Sequence, residues 1–209
     1  LTEIERARAA GKRLDVWRLG DQTGNRRFGS GSVPFDYNAE DWLVIDNRDT
    51  GLDYAALPLR PIYRAALVRG GIEPIREHVW DNPWTDDFER RALIGIPAES
   101  VHYDGNTQIR LKITLAPMSP TTPPAFTEEK ADNQFYSKLD DDPLGVIQSI
   151  EGMSGGPIFS CKREGDVLRY RLLGIQSSWY KSDRITAGCP VATFAKAVEE
   201  ALRQHGIAD

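Results

Sequence analysis

At 209 residues the chain is long enough for one large domain or two small ones, and a composition of 40% hydrophobic and 27% charged residues supports a sizeable core and excludes wholesale disorder. A net charge of −5, with no basic stripe interleaved with aromatics, argues against nucleic acid as a partner. No apolar run approaches membrane-spanning length, and the charged opening from Leu1 to Lys12 does not read as a signal peptide, so no membrane partner is expected.

In chain order, Thr2 to Ala10 reads as a short charged helix. After Gly11, residues Leu14, Val16 and Leu19 open a series of short apolar runs separated by Gly, Pro, Asn and Asp. Trp42 to Ile45 is apolar on both faces and is expected to be a buried strand. Tyr54 to Leu59 is a second strand, and Ala92 to Ile96 a third, stopped by Pro97. Gln108 to Leu115 alternates most cleanly: Ile109, Leu111, Ile113 and Leu115 share one face, while Arg110, Lys112 and Thr114 take the other. The proline-rich, acidic stretch Pro117 to Pro143 is expected to be largely loop. Val167 to Ile175 is a further strand. Phe194, Val198, Ala201 and Leu202 recur at helical spacing, so Thr193 to Gln204 is expected to be an amphipathic terminal helix ending near Gly206. Short strands with turn residues between them point to a β-barrel or sandwich, because helical patterns between strands are not evident.

Two cysteines, Cys161 and Cys189, are too few for a disulfide framework. Two free, largely buried thiols in a reducing compartment are the expectation, with one bridge between them as the alternative. No metal cluster or phosphate loop stands out, so no cofactor is expected.

The segment Glu151-Gly152-Met153-Ser154-Gly155-Gly156-Pro157-Ile158-Phe159 carries the most chemistry. A nucleophilic serine needs an exposed tight turn, backbone N–H groups facing the developing oxyanion, and a base within reach of its proton. Gly152 and Ser154 can supply the two N–H donors, Gly155 and Gly156 leave room for substrate, and Pro157 directs the chain into a strand. The run Gly-x-Ser-Gly-Gly-Pro followed by an apolar strand resembles the nucleophile motif of trypsin-like serine peptidases of bacterial type. Gly152-x-Ser154-x-Gly156 also satisfies the nucleophile elbow of α/β-hydrolases. That elbow needs a helix directly after the serine, where Gly-Gly-Pro-Ile-Phe favours a strand.

The resemblance implies the order His, Asp, Ser. Asp53 leads the small-residue strand Tyr54-Ala55-Ala56-Leu57 and resembles the family's Asp-x-Ala-Leu segment, with Asp46 and Asp49 as neighbouring alternatives that precede no such strand. The spacing, 154 − 53 = 101, lies near the roughly 93 positions of the family template. No histidine precedes Asp53; the three present are His78, His102 and His205, all in the wrong order for this family. The strands that carry the family's histidine are absent too. The expectation is therefore a chain that starts beyond the histidine loop, with an upstream polypeptide segment supplying the imidazole.

The resemblance further implies a specificity pocket built from Val146 to Glu151 and from Gly174-Ile175-Gln176-Ser177-Ser178-Trp179. Gln148, at the pocket-floor position, is neutral, so strict cleavage after Arg or Lys is not expected. Ser149, Ser177, Ser178 and Trp179 complete the substrate-binding set, although Trp179 falls one place late against the family pattern. Met153 replaces the Asp that receives a new N-terminus in digestive members, so any control acts differently, for example through the Pro117 to Pro143 loop or a regulatory protein.

These readings imply an all-β, double six-stranded chymotrypsin-like fold with a C-terminal helix. Residues 1–80 would be the remainder of an incomplete N-terminal barrel and 81–209 the C-terminal barrel with the nucleophile. The implied function is serine endopeptidase activity on protein or peptide substrates through Asp53, Ser154 and an imidazole from outside this sequence, in the cytoplasm. A protease-like domain that binds peptides without cleaving them is the alternative.

Overall fold

The structure is a computed structural model that describes residues 9–11, 17–19, 33–47, 50–80, 90–103, 109–110, 112–125, 133–141 and 147–204. The helix expected over Thr2 to Ala10 lies almost entirely outside these residues. The chain divides into two compact units, residues 1–44 with 55–75, and residues 45–54 with 76–209.

The first unit contains β1 (Trp17–Leu19) paired antiparallel with β2 (Val33–Phe35). It also holds a helix that the sequence reading missed, α1 (Pro61–Arg69). Pro61 suits a first helical position because its missing N–H has no intrahelical partner there. The helix stops at Gly70, whose N–H donates to the Ala66 carbonyl at 3.0 Å. None of its residues is buried, so no clean apolar stripe marked it in the sequence. Phe35 meets Tyr63 edge to face, with ring centroids 5.5 Å apart, and the Asp36 N–H donates to the Tyr63 hydroxyl.

β3 (Leu43–Asn47) and β4 (Leu52–Ala56) pair as a hairpin whose tip, residues 45–54, belongs to the second unit. The expectation of a doubly buried Trp42 to Ile45 run is not met: Val44 is 53% exposed. The strand is half-buried, with one face in solvent.

The second unit contains a closed six-stranded antiparallel barrel made of β5 (Arg90–Gly95), β8 (Thr114–Thr121), β9 (Phe135–Leu139), β10 (Pro157–Glu164), β11 (Val167–Tyr180) and β12 (Ile185–Pro190). Around the barrel the strands follow the order β10-β11-β12-β9-β8-β5. Pairing of β10 with β5 closes the cylinder and removes the free edges that an open sheet would present. β6 (His102–Tyr103) and β7 (Ile109–Arg110) form a separate small pair. The chain ends in α2 (Val191–Gln204), close to the sequence expectation, packed on β11 and β12. Among the described residues no helix is long and apolar enough to cross a membrane.

The barrel core joins Leu93, Ala116, Met118, Leu139, Ile147, Ile150, Met153 and Ile158, with Phe135 and Trp179 packed against it. Each fully buried Leu, Ile or Met contributes roughly 1.5–3 kcal/mol of transfer free energy. Phe135 covers Gly174 and Gly188, where a methyl group would collide with its ring. The Arg91 guanidinium lies 5.0 Å above the same ring and donates to the Tyr136 carbonyl at 2.7 Å and the Ser137 hydroxyl at 2.9 Å.

The strands differ from the sequence expectation at two places. The alternation Gln108 to Leu115 does not mark an inward face: Ile113 and Leu115 are 51% and 58% exposed, while Thr114, Ala116 and Met118 are buried. A shift of one residue exchanges the faces of a strand, and the barrel selects small Ala116 opposite bulky Leu93. The stretch after Pro117 is also not mainly loop at its ends, since β8 runs to Thr121 and β9 starts at Phe135. Pro117 and Pro120 sit within β8 with exposed side chains, and the Pro117 carbonyl still accepts the Asp140 N–H at 3.0 Å.

Candidate active site

Ser154 stands in a turn between the core loop 147–153 and β10. Ile147, Ile150 and Met153 recur every third position and point into the barrel, and Met153 is only 2% exposed. The intervening residues Gln148, Glu151 and Gly152 face solvent. The turn is tied at both ends: the Met153 N–H donates to Ile150 O at 3.0 Å, and the Gly156 N–H donates to Met153 O at 2.9 Å. The Gly155 N–H donates to Gln176 O and the Gln176 N–H donates to Gly156 O, each at 2.9 Å, so the turn is stitched to β11.

Gly152 and Gly155 have φ of +86° and +82°, a region where glycine alone is unstrained. Ser154 is exposed. Among the described residues, no intramolecular acceptor engages the N–H of Gly152 or of Ser154, and nothing bonds the Ser154 hydroxyl. Two uncommitted N–H groups and a free hydroxyl thus share one turn, the donor set that an anionic oxygen requires.

Asp53 lies on β4 in the hairpin tip that belongs to the barrel unit. It shares the exposed side of the hairpin with Asp46. Partial burial, and then repulsion from the Asp46 carboxylate, push the Asp53 carboxyl above its ordinary value. The opposite face carries Tyr54, buried at 4% exposure. Its hydroxyl donates to Pro190 O at 2.6 Å and its ring centroid lies 4.6 Å from that of Phe194 on α2. Burial, and then the neighbouring Cys189 thiol, raise the Tyr54 phenol well above its usual range, so it remains a donor.

The hairpin turn is held by side chains from far along the chain. Asn133 donates to Thr50 O at 3.2 Å, Gln134 donates to Gly51 O at 2.8 Å, and the Cys189 thiol donates to Gly51 O at 3.3 Å. Nothing in the sequence marks Asn133 and Gln134 as clamps, because their partners lie 83 positions away.

The two tethers meet the same ladder. The Ser154 turn is bonded to Gln176, whose partner across β12 is Gly188; the Asp53 hairpin is bonded to Cys189, whose partner across β11 is Ile175. The serine and aspartate segments are thus anchored on adjacent rungs of β11 and β12. Among the described residues, no hydrogen bond or ion pair reaches the Asp53 carboxylate. His78, in the short turn Glu77–Val79, and His102, on β6, are both exposed and bond neither Asp53 nor Ser154. His205 lies outside the described residues.

The residues expected to bind substrate are distributed as follows. Gln148 is exposed, and its N–H is held by the Glu99 carboxylate at 3.1 Å. The Ser149 hydroxyl accepts the Glu151 N–H at 3.1 Å. Ser177 and Ser178 sit in a β-bulge, where the pairing jumps from Gln176↔Gly188 to Ser178↔Ala187. Thr186 fills the bulge by donating to Ser178 O at 2.7 Å. Trp179 packs against the barrel core, and its indole N–H and the Gln176 side-chain oxygen are buried without partners. Both cysteines are free thiols, Cys189 buried and Cys161 half-buried. Burial pushes the Cys161 thiol up, which disfavours its thiolate. Comparison of the chain with protein-family models, with curated proteins and with solved structures finds no match to any of them.

Proposed function

We propose that this chain is the nucleophile-bearing part of a trypsin-like serine endopeptidase with a chymotrypsin-like fold. The observation that carries the reading is the Ser154 turn: an exposed, unbonded hydroxyl flanked by two uncommitted N–H groups, on a glycine-bent backbone tied to a barrel strand. The anchoring of the Asp53 hairpin one rung away supports it.

On this reading Ser154 Oγ attacks a peptide carbonyl, and its proton passes to an imidazole supplied from outside this sequence. The N–H groups of Gly152 and Ser154 hold the oxyanion. The imidazolium then protonates the leaving amine, and water hydrolyses the acyl-enzyme by the reverse proton path. Asp53 accepts the other imidazole N–H.

Fluorophosphonate labelling of the full-length protein tests the reading. Ser154 Oγ would form a bond to phosphorus as fluoride leaves, with the proton passing to the imidazole. Labelling that Ser154→Ala abolishes is the expected result. Absence of labelling in the natively folded full-length protein would sink the reading. It would favour a domain that binds peptides without cleaving them.

A further inference from the structure

We infer that Glu99 is a positioning residue that locks the oxyanion loop from outside the barrel. The catalytic half of this inference rests on the protease reading above. Loop 147–153 is anchored inward by the buried side chains of Ile147, Ile150 and Met153. Apolar burial fixes depth but not the rotation of the backbone, because it is non-directional. Direction comes from the short turn Ala98–Ser100 that follows β5.

One Glu99 carboxylate oxygen accepts the N–H groups of Gln148 at 3.1 Å and Ser149 at 3.5 Å. The adjacent Ala98 N–H donates to Glu151 O at 2.7 Å. Gly152 lies directly against this turn: a methyl group at Gly152 would stand 3.0 Å from the Ala98 nitrogen and 3.2 Å from its Cβ. The turn is itself braced, since the Ser100 hydroxyl donates to Pro97 O at 2.8 Å. Outward N–H groups that would otherwise face water are therefore gathered by one charged acceptor, three and four residues before Gly152, the proposed oxyanion donor. Hydrogen bonds to a charged acceptor are about twice as strong as neutral ones, so the carboxylate adds a directional tie beside the backbone bond from Ala98 to Glu151.

The test compares wild type, Glu99→Ala and Glu99→Gln, reading amide exchange across 147–153 together with fluorophosphonate labelling of the full-length protein. Glu99→Ala is expected to speed exchange of the 148 and 149 amides by about tenfold while β10 to β12 are unchanged. It should also slow labelling of Ser154 by about tenfold. Glu99→Gln keeps an acceptor oxygen and should recover most of both losses. Unchanged exchange at 148 and 149, acceleration spread through the barrel, or faster loop exchange with unchanged labelling would each overturn the assignment. If wild type is not labelled at all, the protease reading fails by itself, and loss of the loop protection in Glu99→Ala still decides whether Glu99 holds the loop.

Discussion

Replacing Gly152, Gly155 and Gly156 singly by alanine separates two costs that the Ser154 turn combines. At Gly155 the backbone has φ +82°, yet nothing lies within 4 Å of an added methyl. The penalty there is conformational alone, about 1 kcal/mol. At Gly156 φ is ordinary, but the methyl would stand 2.6 Å from Ile94 O, 2.8 Å from Met153 O and 3.0 Å from Leu93 Cδ1. Two of those atoms are backbone, so the turn or β5 must shift, at a cost of about 3 kcal/mol, the upper range for overpacking. Gly152 carries the same conformational penalty, with φ +86°, and a milder steric one, with the Ala98 nitrogen at 3.0 Å, for about 2 kcal/mol. In a chain of this length each kcal/mol lowers Tm by about 2–4 °C. Thermal unfolding followed by circular dichroism should therefore rank the variants Gly155→Ala, Gly152→Ala, Gly156→Ala, with losses of about 3, 6 and 9 °C. A Gly156→Ala variant melting with wild type, or a Gly155→Ala variant as damaged as Gly156→Ala, would refute this account of the turn.

Two further outcomes follow from the hairpin. The folded Asp53 carboxyl titrates above its unfolded value of 3.8, so the folded state holds the proton more tightly; stability declines as pH rises from that value through the folded one, and the penalty persists above it. Asp53→Asn should remove that decline, which chemical unfolding at a series of pH values checks; parallel pH profiles for variant and wild type would contradict it. Tyr54→Phe keeps the ring against Phe194 but loses the hydroxyl bond to the Pro190 carbonyl. A loss of about 1–2 kcal/mol in urea unfolding is expected, with faster amide exchange confined to residues 45–54 and the start of α2.

Local chemistry made several features legible without coordinates. Gly-x-Ser-Gly-Gly-Pro imposes a tight turn followed by a strand whatever surrounds it, because glycine permits the bend and proline forbids a helix there; β10 does begin at Pro157. The terminal helix was legible because its apolar residues recur at 3.6 over enough length, and α2 spans Val191–Gln204. A mostly β chain with a barrel was legible from short runs between turn residues, and β5 ends at Gly95, two residues before Pro97. Asp53 could be singled out, but the sequence could not show its environment.

Long-range packing decided the rest. Which face of β8 turns inward depends on Leu93 and Met118 fitting a closed barrel, and a one-residue slip in local alternation is invisible until the strands across it are known. Helix α1 escaped detection because it buries nothing, so no periodic stripe was required of it. The clamps from Asn133, Gln134 and Cys189 onto the Asp53 hairpin, and from Glu99 onto the serine loop, join residues about 50 to 138 positions apart. A side chain's local spacing carries information only about neighbours within a turn or a strand. The glycine-rich turn around Ser154 was therefore readable from residues, whereas the scaffold that holds it existed only once the barrel had closed.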